Sequence, residues 1–411
     1  MRSIRRIKLI DLIYILVVLT TLFASGGNLL IRSIYFFVAS CGFLLLYKRK
    51  INHKYIMVCG SLIVYIWVDS VLLNTAPTDL KECVLMTLRL IGCVIIVSSI
   101  SSQTFKIVFL KVMIVLAIIS LLFYAIILIN TDLPGAVVIN GWYGTFYQTI
   151  GHTTHIFIMG RKRNCGIFTE PGVFQMYLNI ALMVLIGERS ITTRTAKKIF
   201  WLFTVTLLTT FSTMGYLLYA CVLLLYYTER PEILPSIRRI NRKGRLLILF
   251  FAFMVVVLFE IKTGMITQII TTTNSYASRH DDTLLTFLIA RDYPIFGVGL
   301  GTDMTDIWLQ YYDKYDKLRL YKSLQMARSN GLGNYLCMAG IPFTVLYCGC
   351  IIKTFFKTMG LTRILPKIIT SFIVIMFFME EPLLPTPFFL MSFFACMRQH
   401  ENSQLKLRSS L

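Results

Sequence analysis

With 411 residues, 56% of them hydrophobic and only 15% charged, and a mean hydropathy of +0.71, this chain carries more apolar surface than a water-soluble core encloses. Its apolar runs are unbroken, which excludes the alternating pattern of a β-barrel and leaves an all-α, polytopic integral membrane protein, a single membrane domain over 1–411. The net charge of +21 sits in short linkers, and no folded basic domain is visible, so nucleic acid is excluded as a partner.

In chain order, Met1 to Lys8 is a basic flank followed by an apolar run with no small-residue cleavage site, so 9–25 reads as a retained first helix. A Ser-Gly-Gly-Asn turn leads into 29–47, and the basic linker 48–54 returns the chain to the inner side. Spans 55–74, 83–100 and 107–130 follow, then an outer loop over 131–170 and a span over 171–187. The stretch 199–228 has basic flanks on both sides and a polar break at Phe211–Gly215, which predicts two short helices meeting near the outer leaflet. After 246–262 comes a second outer loop over 263–330, then spans 331–352, 368–381 and 386–397, with a basic linker over 353–367. That gives about 12 transmembrane helices with both termini cytoplasmic.

Orientation rests on charge. The segments expected inside hold 26 Lys and Arg against 4 Asp and Glu, and those expected outside hold 11 against 13. By the positive-inside rule both longer loops face outward, away from ATP and nucleotide sugars. Within the larger loop, 282–290 reads as a short apolar helix ended by Pro294. Ile307, Trp308, Tyr311, Tyr312, Tyr315 and Leu318 recur at helical spacing within 303–324, as in an amphipathic helix lying at the headgroups.

Ten cysteines lie mostly within spans. Cys83, Cys165 and Cys337 are near the outer face, but no metal-ligand spacing occurs, so neither disulfides nor zinc are expected. His152 and His155 lack a third ligand. The glycine-rich turn at 297–301 lacks the strand–helix setting of a nucleotide loop. Asp69 and Arg89 are expected near the outer ends of adjacent spans, close enough to pair.

Three polar clusters are expected on the outer side: RKRNCGIFTEPGVFQ at Arg161–Gln175, SRHDDTLLTFLIARDYPIFGVGLGT at Ser278–Thr302, and ARSNGLGNYLCMAGIP at Ala327–Pro342. In this order they resemble the bacterial O-antigen polymerase and O-antigen ligase superfamily (Wzy-type and related capsular polymerases). The matching positions are Arg163, Gly166, Glu170, Pro171 and Gly172; Arg279, Pro294, Gly297, Gly299 and Gly301; and Asn330 and Gly340. EEPLLPTP near the end is similar to the polymerase side of the family, and the resemblance covers most of the chain from Arg161 onward. Two positions depart from the pattern. The break at 211–215 lacks the family's Arg, and Ser329 stands where ligase-type relatives place a His, which points away from the ligase.

The resemblance implies an enzyme of the bacterial cytoplasmic membrane that joins undecaprenyl-diphosphate-linked oligosaccharide repeats into O-antigen or capsule on its outer face. It would act as a metal-independent inverting glycosyltransferase without cofactors. The implied partners are the lipid-linked repeat, the bilayer, a chain-length regulator and a flippase. Such a reaction requires cationic stabilisation of a departing diphosphate, a task suited to arginine, for which Arg163, Arg279, Arg328 and Arg291 are the candidates. It also requires a base for the attacking hydroxyl. Glu170 stands first, as a carboxylate at a helix mouth with its pKa raised by desolvation, followed by Asp281, His280 and Glu381; Asn330 is a further candidate in the third cluster. Simpler roles stand beside these: arginines paired with loop aspartates, and Glu170 capping a helix with Pro171 at its first position. Beside the polymerase stand two other functions, a ligase and a transporter or flippase without chemistry.

Overall fold

The segment TEPGVFQMYLNIALMVLIG carries no charge after Glu170 and has Pro171 at the first helical position, where its missing N–H costs nothing. It forms the central helix of the protein, buried on every side from Pro171 to Ile186. The computed structural model describes residues 15–16, 18–19, 21–22, 29–47, 51–70, 80–129, 137–141, 144–149, 152–157, 162–168, 170–234, 274–300, 302, 304–319, 330–380 and 385–398.

These residues are mostly helical. In chain order the helices are α1 (Leu29–Tyr47), α2 (His53–Val68), α3 (Leu80–Ser99), α4 (Ser102–Ile129), the central α5 (Pro171–Gly187), α6 (Thr193–Leu208), α7 (Thr213–Glu229), α8 (Asn274–Asp292), α9 (Met304–Lys314), α10 (Gly331–Met359), α11 (Ile364–Glu380) and α12 (Pro387–Cys396). All but α8 and α9 fall on expected spans. The expected span 246–262 lies outside the described residues, and of 9–25 only six positions are described, all helical. Among the described residues two helices, α4 and α10, are long and apolar enough to cross a membrane. Large apolar side chains stand exposed around the outside of the bundle, among them Leu45, Met57, Leu122, Val345 and Ile364.

The stretch 199–228 is indeed a hairpin: α6 and α7 are joined by Thr209–Ser212, with Phe211 at a positive φ of 48° and the Ser212 hydroxyl capping α7. The all-α expectation fails in one place. Residues 137–164 form a four-stranded antiparallel meander: β1 (Val137–Gly141), β2 (Gly144–Thr149), β3 (His152–Phe157) and β4 (Lys162–Asn164). Val, Ile, Thr and aromatic residues punctuated by Asn-Gly and Gly give these short strands their propensity and turns. In register, Val138 faces Tyr147, Phe146 faces His155, and His155 faces Arg163.

Helix directions follow from contacts at their ends. At one end α4 begins where Gln103 Nε2 donates to Glu188 Oε2 at 2.6 Å, just past the end of α5. There too Arg230, just past α7, donates Nη1 to Leu185 O and Glu188 O at 2.9 and 3.0 Å, and an added Cβ at Gly187 would strike Thr358 O of α10. At the other end α4 finishes against β4: Tyr124 donates its hydroxyl to Lys162 O at 2.8 Å, and Lys162 Nζ donates to Ile127 O at 2.6 Å. The α6–α7 break and the starts of α5 and α10 lie at this second end as well. The first end gathers the basic linkers and the second gathers the polar clusters, as the charge distribution predicts.

Helix α10 is broken. Gly340 has φ 75° and ψ 170°, and Pro342 follows inside the helix, removing an N–H and crowding the preceding turn. Gly360, in the left-handed region at φ 67°, ends it.

Candidate functional site

The first cluster is anchored by an amide. Asn164, fully buried at the end of β4, donates Nδ2 to Thr209 Oγ1 at 2.9 Å and to Ser120 Oγ at 3.3 Å, while its Oδ1 accepts from Gly166 N at 2.9 Å. Its backbone N–H also reaches Thr209 O at 3.0 Å. One side chain thus ties β4, α4 and the α6–α7 break together. Arg163, its half-buried neighbour, donates Nε to Thr210 O at 3.1 Å, so its guanidinium lies at the same break. Beyond it, Gly166 takes φ 57° over the Phe174 ring, a conformation that suits glycine.

Glu170 is the N-cap residue of α5, with Pro171 at the first position, yet its side chain makes no capping bond. It is exposed, against the expectation of a desolvated carboxylate at the helix mouth. One turn inward, buried Gln175 and Asn179 bond at 2.9 Å, and Asn179 Nδ2 reaches Gly215 O at 3.4 Å. An added Cβ at Gly215 would sit 2.9 Å from the Gln175 amide, so glycine is what lets α5 and α7 approach there.

The second and third clusters meet directly. Helix α8 runs from Asn274, well before the expected start at 282, and Asp281 and Asp282 turn inward from it. Asp281 is fully buried, its Oδ2 3.6 Å from Arg319 Nε and its Oδ1 3.4 Å from His280 Nδ1. Asp282, also buried, accepts from the Tyr312 hydroxyl at 3.1 Å. Arg319 lies over the Tyr312 ring at 4.0 Å from its centroid, a cation–π contact that helps hold a buried guanidinium. Burial, with the Asp282 charge beside it, pushes the Tyr312 hydroxyl well up, so it remains a donor to that carboxylate. Asn330 is the buried N-cap of α10. Its Oδ1 accepts from Gly333 N at 2.9 Å, and its Nδ2 donates to Thr283 Oγ1 of α8 at 3.1 Å.

The glycine-rich turn is a backbone clasp. Val298 N donates to Cys337 O at 2.8 Å, Gly299 N to Met338 O at 3.0 Å, and Ile341 N to Pro294 O at 2.9 Å. The carbonyls and N–H groups freed by the break at Gly340 are thereby satisfied. Gly297 (φ 75°) and Gly340 face each other so closely that a Cβ on either would strike the other's backbone segment.

No family model, curated protein or solved structure matches this chain.

The remaining candidates separate cleanly. Arg291 is exposed and held by Asp292 Oδ1 at 2.9 Å and by the Tyr315 hydroxyl at 3.1 Å, the loop ion pair that its neighbours allow. The backbone of Arg279 is within α8, one residue before His280, and its side chain lies outside the described residues. Arg328 and Glu381 lie outside them altogether. His280 is partly exposed, with 32% of its side chain accessible. His152 and His155 occupy positions three apart on β3, and a strand's period of two assigns such positions to opposite faces. All ten cysteines are free.

Asp69 and Arg89 do not pair. Arg89 donates Nε to Ser33 Oγ at 2.8 Å, and the Asp69 carboxylate meets the Leu300 backbone N–H at the glycine-rich turn.

Sequence reasoning missed Asn164, Arg319 and Tyr312 as partners. Only the basic residue beyond the aromatic stripe hinted that buried carboxylates would need a cation.

Chemically, a buried carboxylate beside Nδ1 of a partly exposed imidazole can orient that ring and leave Nε2 for a ligand.

Proposed function

We propose that the chain is a membrane-embedded glycosyltransferase that polymerises oligosaccharide repeats carried on undecaprenyl diphosphate, outside the bacterial cytoplasmic membrane. The belt of exposed apolar side chains and the two long apolar helices support the membrane setting. The gathering of basic linkers at one end of the bundle and polar clusters at the other supports the orientation.

The observation that carries the reading is the Asp281 arrangement. A fully buried carboxylate holds His280 on one side and Arg319 on the other, directly after Arg279 and locked to the entry of α10 through Asn330. In the reaction the acceptor hydroxyl attacks the anomeric carbon. A new C–O glycosidic bond forms, the C–O bond to phosphate breaks, and undecaprenyl diphosphate leaves with the electron pair. His280 takes the hydroxyl proton, with Asp281 as its positioning residue, and Arg163 and Arg279 stabilise the diphosphate. Glu170 is then a helix-entry residue and a second base candidate. The bond energy resides in the sugar–diphosphate linkage, so the reaction needs no nucleotide.

The test is reconstitution of the full chain in vesicles with lipid-linked repeat as sole substrate, without nucleotide or ion gradient. Long-chain product is expected, falling roughly 100-fold or more in Arg163→Ala, Arg279→Ala and His280→Ala. Normal product from these variants removes those assignments. Passage of the substrate across the bilayer with no new bond would sink the polymerase in favour of a transporter.

A further inference from the structure

A cleft opens at the basic end of the bundle, remote from the polar clusters. It lies between the end of α3, the start of α4, the second half of α5, the last turns of α10 and α12, and contains about 720 Å³ of empty space, part of it open to the outside. Its walls are apolar: Ile96, Phe105, Phe109, Val184, Phe355 and Met391 face it. Two of its hydroxyls are consumed internally. Thr354 donates to Ser392 O at 2.6 Å, and Ser392 donates to Phe388 O at 3.0 Å.

The mouth is cationic. Arg398 donates Nη1 to Ser102 Oγ at 2.9 Å and Nη2 to Ile100 O at 2.7 Å and to Val97 O, which fixes the guanidinium across the end of α3. Lys106 stands one turn into α4, whose first turn is capped by Ser101 and adds its own positive end. Neither Arg398 nor Lys106 makes an ion pair among the described residues. Glu188 feels the Lys106 charge, but its oxygens are bonded to Gln103 and Ser190. An uncharged amphiphile leaves Arg398 without a counter-charge and Lys106 with only the shared Glu188 carboxylate, and a small inorganic anion leaves the apolar volume unfilled.

We propose that this cleft binds an anionic glycerophospholipid of the inner leaflet, with one acyl chain among Phe105, Phe109 and Met391 and the phosphate at Lys106 and Arg398. The inference rests on the proposed bilayer setting with the basic end inward and on nothing about the bond the chain makes.

The test is native mass spectrometry of the full chain in neutral detergent, titrated with phosphatidylglycerol or with phosphatidylcholine of the same acyl chains. One saturable phosphatidylglycerol is expected, bound roughly ten-fold more tightly than phosphatidylcholine. Lys106→Glu, a half-exposed position that does not threaten folding, should abolish that preference. Ala395→Phe fills the cleft without altering charge and should remove the saturable lipid, while millimolar inorganic phosphate should not displace it. Equal binding of the two lipids by the wild type, or an unchanged preference in Lys106→Glu, would overturn the proposal. So would displacement by inorganic phosphate. The extension assay on the same preparations reads the polymerase separately, so either reading can fail alone.

Discussion

Two polar segments cap the same end of the bundle, 137–168 and 274–319, and both dock onto a broken helix through the backbone. The meander does so at the α6–α7 break mainly through amide, hydroxyl and carbonyl groups: the Asn164 amide, threonine hydroxyls and backbone carbonyls, one of which receives Arg163 Nε. The α8–α9 unit docks at the α10 break and buries two carboxylates against an arginine and a tyrosine. Neutral hydrogen bonds each contribute about 1 kcal/mol net, whereas a buried ion pair is most consequential when one partner is removed. The meander should therefore degrade gradually under substitution, and the α8–α9 unit abruptly.

The largest effect expected is from Arg319→Ala, which takes the Arg319 guanidinium away from the buried Asp281 and should loosen α8–α9 by about 3–5 kcal/mol. Hydrogen exchange should show the change across 274–319 while 137–168 keeps its protection. Equal loosening of both segments would break the comparison. Arg319→Ala with Asp281→Asn should recover part of the loss, since the Asp281 charge is then removed together with its Arg319 contact.

Gly340→Ala comes next. A side chain there must adopt a positive φ and push into the Ile295 carbonyl, costing about 1–3 kcal/mol in strain alone before any clash. The clasp at 294–299 should open, read as faster exchange at Val298 and Gly299, with the α6–α7 break unaffected.

Asn164→Ala sharpens the other side. It removes an amide that bonds α4, the α6–α7 break and Gly166, for a loss of about 2–3 kcal/mol confined to the first segment. Because that amide also positions β4, chain extension should fall through Arg163, and Asn164→Gln should not restore it. Full activity in Asn164→Ala would separate the meander from the site.

How much of this was legible in the letters depends on the kind of signal. Apolar length and basic linkers predicted ten of the helices and their alternating direction, because burial and charge act through composition over twenty residues. The α6–α7 hairpin was readable from one polar break. The meander was not foreseen, although Asn-Gly and alternating β-branched residues were present, because a segment flanked by apolar spans was read as connection and not as structure. The site was legible as residue types and not as partnerships. Asp281 stood among the candidates for a base, yet its role is set by Arg319, thirty-eight positions later, and no local period links the two. Arg291 next to Asp292 was the reverse, a local pair visible in sequence.

That pair supplies the smallest effect. The Tyr311 hydroxyl, donating to Asp292 Oδ2 at 2.6 Å, holds the carboxyl below its ordinary 3.8, with Arg291 adding to this against the opposing effect of burial. Burial, and then Asp292 itself, raises the Tyr311 hydroxyl above its ordinary 10.0. The signs are opposite and the window follows. Asp292, with a depressed folded value, contributes stability above pH 3.8 that is lost as pH falls through that folded value. Tyr311, with a raised folded value, contributes stability below pH 10.0 that is lost as pH rises further. The far end of α8 should thus resist proteolysis evenly between those limits and weaken outside them. Asp292→Asn should flatten the acid limb. Molar salt should leave that limb in place, because it screens the exposed Arg291 more than the Tyr311 hydrogen bond. An acid limb unchanged in Asp292→Asn would show that the buried carboxylates, not this exposed pair, set the acid sensitivity of the segment.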